Sequence, residues 1–269
     1  MNAVTLPNLA VARVSGADAG SFLQAQLSAD VAVLADGGAT FACYCSPRGQ
    51  VYGLLLVCRC GDEFRLIADA ALLRGMLERL GMFVLRARVS FELADDLEVS
   101  AYQSADPRDE DYQPSGFDLC YRYVAAGSGT ASSEGLAGWK EQELRRGVVW
   151  LSPQTTERFI PQMLGFDRIG AVSFGKGCYP GQEIIARARY LGEVKRKPLL
   201  LQIAGLGELP PGSSLKLLDD QAWLQGTVVD SVDLTGRLQE TLVFIVSPVP
   251  AGSIERAEYE GHSYRCATI

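Results

Sequence analysis

The run Lys176-Gly177-Cys178-Tyr179-Pro180-Gly181-Gln182-Glu183 concentrates the residue types best suited to chemistry in this chain. A cysteine acts as a nucleophile through its thiolate, which a nearby cation or helix N-terminus favours. Both are close in sequence. Lys176 stands two residues before Cys178, and Gln182 to Leu191 reads as a helix that begins just after it. Gly175, Gly177 and Gly181 permit a tight backbone path around the thiol. Glu183 would complement the dipole of the first turn, Arg187 follows at i,i+4, and Gly192 is expected to close the helix. The competing reading is a small buried packing cysteine, a common fate for this residue. The local residues leave both open.

Other candidates are weaker. Cys43/Cys45 and Cys58/Cys60 have strand spacing that puts each pair on one face. A hairpin centred on Pro47-Arg48 would pair Cys43 with Tyr52 and leave Cys58 about six residues on. At roughly 3.3 Å per residue that is on the order of 20 Å, too far for one four-thiolate site. No metal is therefore expected. His262 is the one histidine, so Ser-His-Asp or Cys-His catalysis would have to run through it. No Gly-rich dinucleotide or phosphate loop is present. From Lys176 to Lys197, six basic residues stand against Glu183 and Glu193 within a chain of net charge -7. The overall charge argues against direct nucleic-acid binding. The local excess is either a solvated helix and linker or a site for an anionic tail or backbone.

These residues need elements to position them. Leu9 to Val14 reads as a strand and Ala17 to Leu27 as a helix, from apolar residues at Ala19, Phe22, Leu23 and Leu27. Ala39–Cys45 and Val51–Arg59 form a hairpin around Ser46-Pro47-Arg48-Gly49. Phe64 to Ala68 is a strand, and Asp69 to Leu80 a helix with Asp69 as N-cap. Phe83 to Leu93 alternates as a strand. Ser104 to Gly116 and Ala125 to Gly135 read as loops around a strand at Phe117 to Val124. Leu136 to Arg146 is a helix containing Trp139. Beyond Pro198, five short strands at 199–203, 214–218, 223–229, 241–246 and 263–268 suggest a small β-barrel. The class is α+β, with a boundary near residue 195 between regions 1–194 and 195–269. The seven cysteines lack a disulfide-framework spacing, which suits a reducing compartment. Met1 to Pro7 lacks the charge-then-apolar pattern of a signal peptide. The apolar run from Val51 to Cys58 is too short to span a bilayer. A cytoplasmic location without membrane association is expected.

Residues 176 to 183 match, at every fixed position, a signature of the form Lys-Gly-Cys-Tyr-x-Gly-Gln-Glu. On this signature the chain resembles the YgfZ-type folate-binding proteins, relatives of the glycine-cleavage T-protein. The resemblance extends to 159–163 and 170–174, to 185–189, and to the N-terminal stretches 16–18, 22–31 and 47–50. It implies two ferredoxin-like α+β subdomains and a C-terminal small β-barrel arranged in a ring around tetrahydrofolate or a one-carbon derivative. It also implies Cys178 as a functional thiol with Lys176 beside it, and Trp139, Tyr179, Gln182, Glu183 and Arg187 on the folate side. Trp139 could stack on a pterin or aminobenzoate ring; as a plain core residue of its helix it would carry no such role. Two departures stand out. Leu9 replaces a tryptophan that the family places before the first strand. The stretch Gln50 to Leu54 lacks the acid that T-proteins use as the base for aminomethyl transfer, which argues against that reaction.

The resemblance implies a folate-binding accessory protein that supports assembly or repair of iron–sulfur enzymes, tRNA-modifying ones included. Those enzymes or their assembly factors would be its partners. Two alternatives remain. One is a folate-dependent one-carbon transferase acting on a protein or small amine; the other is an RNA-binding module using the basic stretch, which lacks an evident aromatic stacking platform.

Overall fold

A computed structural model describes residues 3–104, 111–128, 132–192, 194–219, 222–234, 239–250 and 252–269. The centres of both expected loops, 105–110 and 129–131, lie outside the described residues. The N-terminal half is built on a five-stranded antiparallel sheet in the order β3-β4-β5-β2-β6. Its strands are β2 (Leu9–Ser15), β3 (Ala39–Cys45), β4 (Val51–Cys60), β5 (Glu63–Asp69) and β6 (Ser90–Leu93). A smaller sheet pairs β1 (Val4–Thr5), β7 (Leu97–Gln103) and β8 (Leu119–Ala125). The C-terminal strands β9 (Arg196–Ala204), β10 (Ser214–Leu218), β11 (Trp223–Asp233), β12 (Glu240–Pro248), β13 (Arg256–Tyr259) and β14 (His262–Thr268) close into a six-stranded barrel. Among the described residues, four α-helices accompany them: α1 (Ala19–Gln26), α2 (Ala70–Gly81), α3 (Ser133–Arg145) and α4 (Gln182–Tyr190).

The β3–β4 hairpin of the large sheet is apolar on both faces because both faces are covered. Ala42, Tyr44, Leu55 and Val57 point to α1 and α2, where they meet Phe22, Leu23, Leu73 and Met76. Cys43, Cys45, Leu54, Leu56 and Cys58 point the other way. There they join Trp139, Tyr121, the 148–172 segment and the outer wall of the barrel at Val229 and Phe244. Period-two alternation therefore divides one hairpin between two cores. The barrel interior, lined by Leu201, Leu215, Val228 and Ile245, is a third.

Several expectations need correction. Only Ser90–Leu93 of the anticipated 83–93 strand is extended. Residues 82–85 form turns in which Phe83 N–H bonds Leu80 O and Val84 N–H bonds Gly81 O, and Leu85 is 88% exposed. Val84, Ala87 and Val89 half-bury against the core under α1 and α2, but the segment before Ser90 pairs with no strand. Strands β1, β7 and β13 were not anticipated; the turn that leads into β7, at Asp95-Asp96, carries no glycine or proline. Cys43 pairs with Leu54, not Tyr52, and Cys58 pairs with Ala39. The turn, which leaves Cys45 opposite Val51, accounts for one residue of the shift, and a bulge after Tyr44 for the other. Gly192 does not cap α4; Leu191 does, its N–H bonding Arg187 O. The left-handed glycine is at the other end, Gly181 at φ +81°. Among the described residues no three His, Cys, Asp or Glu side chains gather as metal ligands, and no helix is long and apolar enough to cross a membrane.

Candidate functional site

The signature loop is clamped onto the N-terminal sheet. Lys176 is buried, and its Nζ donates to the carbonyls of Gln24 (2.5 Å), Leu27 (2.6 Å) and Ala29 (2.9 Å), at the C-terminal end of α1. A cation there satisfies orphan carbonyls and opposes the negative end of the helix dipole. Burial lowers the ammonium pKa to about 8, against the pull of Asp30. All three ammonium donors are spent, so Lys176 has none for Cys178. The expected lysine–thiolate pairing is replaced by a tether.

The rest of the loop is seated just as firmly. Ser28 Oγ donates to Ala171 O (2.5 Å) and accepts from Cys43 N–H (2.8 Å), while Ser173 N–H bonds Ser28 O. Gln24 receives Val31 N–H and Ala32 N–H on its side-chain oxygen and donates to Asp30. Gly181 lies against the hairpin turn. A Cβ there would meet Ser46 O at 2.5 Å and Gly49 Cα at 2.7 Å. Gln162 Nε2 donates to Ile185 O (2.6 Å), fixing α4. The stretches 22–31, 47–50, 159–163 and 170–189 are thus one physical unit.

On this unit Cys178 is exposed, while five of the other six cysteines are buried and Cys60 is partly so. Glu183 and Arg187 are exposed on α4 without an ion pair between them, and Gln182 is half-buried. Tyr179 turns inward, joining Cys43 and Cys45 in the core with its hydroxyl unpartnered. Burial raises its phenol pKa, as do Cys45 and Cys43. Further along α4, Arg189 stacks over Phe174 at 4.2 Å from the ring centroid.

Trp139 lies elsewhere. With Leu6, Asn8, Glu143, Trp150 and Asp230 it lines a cavity of about 460 Å³ where the N-terminal segment, α3 and the barrel meet. None of the residues 176–183 borders it. Trp139 is 6% exposed, with its ring edge-on to Tyr121 at 5.5 Å. Its buried indole N–H makes no well-formed hydrogen bond, though it is near enough to Glu143 to help hold down that carboxyl's pKa. Glu143 is the residue that the sequence reading missed. Its Oε1 accepts from Tyr121 Oη (2.8 Å) and Trp150 Nε1 (3.0 Å), and burial lifts its pKa to about 7 despite these donors. Lys140 bridges Asp230 (2.7 Å) and Glu208 (3.2 Å) at the cavity edge. The i,i+4 spacing of Trp139 and Glu143 was the available signal. Leu9 is buried in the core and does not border the cavity.

No family model matches the chain. An uncharacterized protein of Haemophilus influenzae is 30% identical over 87% of this chain and 86% of its own. The tRNA-modifying protein YgfZ of Enterobacter sp. (strain 638) is 27% identical over 97% of this chain and 90% of its own. Among solved structures, the glycine cleavage system aminomethyltransferase T of Bartonella henselae superposes with a TM-score of 0.71. That match covers 99% of this chain and 84% of that one at 15% identity, and so speaks for the fold. Relatives that run nearly end to end and a shared three-part fold agree with the signature, and the chain belongs to the YgfZ family, built on the aminomethyltransferase fold of the T-protein.

Proposed function

We propose that the chain binds tetrahydrofolate or a one-carbon derivative in the cavity beside Trp139. Through Cys178 it supports cytoplasmic iron–sulfur enzymes, tRNA-modifying ones included, or their assembly factors. The carrying observation is the pairing of Trp139 with Glu143 on one cavity wall. An indole suits a pterin or aminobenzoate ring, and its unpartnered N–H suits a ligand acceptor. The carboxylate suits the amino and ring N–H donors of a pterin edge. When bound, tetrahydrofolate supplies a carrier for one-carbon units. The protein residues hold and orient it and exclude water.

The printed names of the YgfZ relatives motivate the link to tRNA modification. Cys178 opens outward, away from the cavity lining, so its reaction partner approaches from solvent. Glu183 and Arg187 are exposed on α4, which begins four residues after Cys178, and would meet the partner, with Gln182 half-buried. Free cysteines throughout fit a reducing cytoplasm.

Titrating the protein with tetrahydrofolate should give a saturable change in tryptophan fluorescence and a calorimetric heat. Trp139→Leu should weaken binding roughly tenfold, as loss of a stacking partner costs on the order of 1–3 kcal/mol. Absence of both signals from the wild-type protein would end the folate reading. Cys178→Ala should fail to rescue iron–sulfur enzyme activity in a strain deleted for the protein; full rescue would remove the thiol role. Glu143 also favours the one-carbon-transferase reading, because it puts a carboxyl into the cavity that the hairpin lacks. Turnover of methylene-tetrahydrofolate with an amine or protein acceptor would decide for it.

A further inference from the structure

Glu143 sits in an electrostatically unfavourable place for a charge. It is 5% exposed; Tyr121 Oη and Trp150 Nε1 both donate to Oε1, the Trp139 indole N–H lies close by without a well-formed bond, and all three are neutral. Lys140, on its own helix, is committed to Asp230 and Glu208. Arg146, one turn on, is committed to Asp118 at 2.6 and 2.8 Å. The groups around the cavity from other elements are Tyr121 on β8, Asp69 at the end of β5, Asp230 and Asp233 on β11, and Glu208 after β9. Four of these five are acids. Desolvation, the larger cause, and Asp230 both favour the neutral carboxyl, and Trp150, Tyr121 and the nearby Trp139 N–H only partly offset them. Oε2 takes neither donor. It is the atom through which a ligand in the cavity can complete the site.

We propose that Glu143 is the proton-exchanging residue of this cavity. It releases its proton to solvent when the donor-rich edge of a reduced pterin docks on Oε2, and it is reprotonated when the ligand leaves. The assignment rests on the folate reading. Glu143 goes from carboxylic acid to carboxylate, the proton goes to buffer, and two ligand N–H groups replace it as the compensating charge density. The sign follows. Ligand donors favour the ionised form, so the carboxyl pKa falls from about 7 in the free protein on binding. Below pH 7 the free protein is protonated and binding must expel that proton, so affinity falls about tenfold per pH unit. Above pH 7 the carboxyl is already ionised and affinity levels off.

Calorimetry with 5-formyltetrahydrofolate in two buffers of different ionisation enthalpy counts the protons. Close to one proton should be released per ligand at pH 6 and close to none at pH 8, with affinity about fivefold weaker at pH 6 than at pH 7. Glu143→Gln should show no release and a flat affinity profile. Binding without proton release at pH 6, or an unchanged pH slope in Glu143→Gln, would overturn the proposal while leaving folate binding intact. A ligand-free measurement stands beside it, because Trp139 and Trp150 flank the carboxyl. Their fluorescence should titrate with a midpoint near 7, shift to higher pH in Tyr121→Phe, which removes a donor to the carboxylate, and stop titrating in Glu143→Gln. A wild-type titration with no midpoint between pH 5.5 and 8.5 would also overturn it. No ligand binding together with a normal fluorescence midpoint would overturn the folate reading and with it the pterin as the exchanging ligand.

Discussion

Sequence neighbours and spatial partners part company at Lys176. Two residues from Cys178, it invites the reading of a cation that activates a thiol. Its ammonium instead reaches three carbonyls about 150 residues earlier in the chain. Lys176→Met should therefore act on stability. Charge-assisted hydrogen bonds and stranded buried carbonyls each count for more than 1 kcal/mol, so a loss of about 3 kcal/mol in urea unfolding is expected. The alkylation rate of Cys178 in the folded protein should stay within about twofold. A large fall in that rate with unchanged stability would restore the activating role. Glu143 shows the opposite gap. It stands among Lys140, Glu141, Gln142, Arg145 and Arg146, and reads as part of a solvated helix face. Only the docking of α3 against Tyr121 and Trp150 buries it.

Among the elements, helices and hairpins were legible because their signals are local. Asp69 caps α2 through Ala71 N–H as expected, and the proline–glycine turn joins β3 to β4. Errors came where the tertiary setting decides. A segment without a sheet partner at residues 83–89 becomes a turn, bends and irregular chain, and a bulge moves the hairpin register. The glycine that matters for α4 is Gly181, since its left-handed backbone and its contact with Ser46 O both exclude a side chain. Gly181→Ala should cost at least about 2 kcal/mol through backbone strain and displacement of the hairpin turn. Differential scanning calorimetry reads this as a lowered Tm; an unchanged Tm would mean that the turn yields freely.

At the scale of the whole molecule, the cavity is formed where three parts meet, and Lys140 ties two of them. Its bonds to Asp230 and Glu208 join α3 to the barrel. Burial keeps the Asp230 pKa raised even with that partner. Lys140→Met should strand Asp230 and destabilise the fold by about 1–3 kcal/mol, and Lys140→Met with Asp230→Asn should recover most of the loss. Strictly additive losses in denaturant unfolding would refute the coupling. The family, the α+β class, the barrel and the signature loop were all legible in the sequence, because strand alternation, turn residues and an eight-residue motif are properties of local order. The tertiary structure alone decided three matters: that the signature is an anchored unit, that it stands apart from the Trp139 cavity, and that an unremarked glutamate faces that cavity. The reason is common to all three. Hydrogen-bond partners, burial and the charge around a carboxyl depend on segments far apart in the chain, and local sequence does not encode which of them will meet.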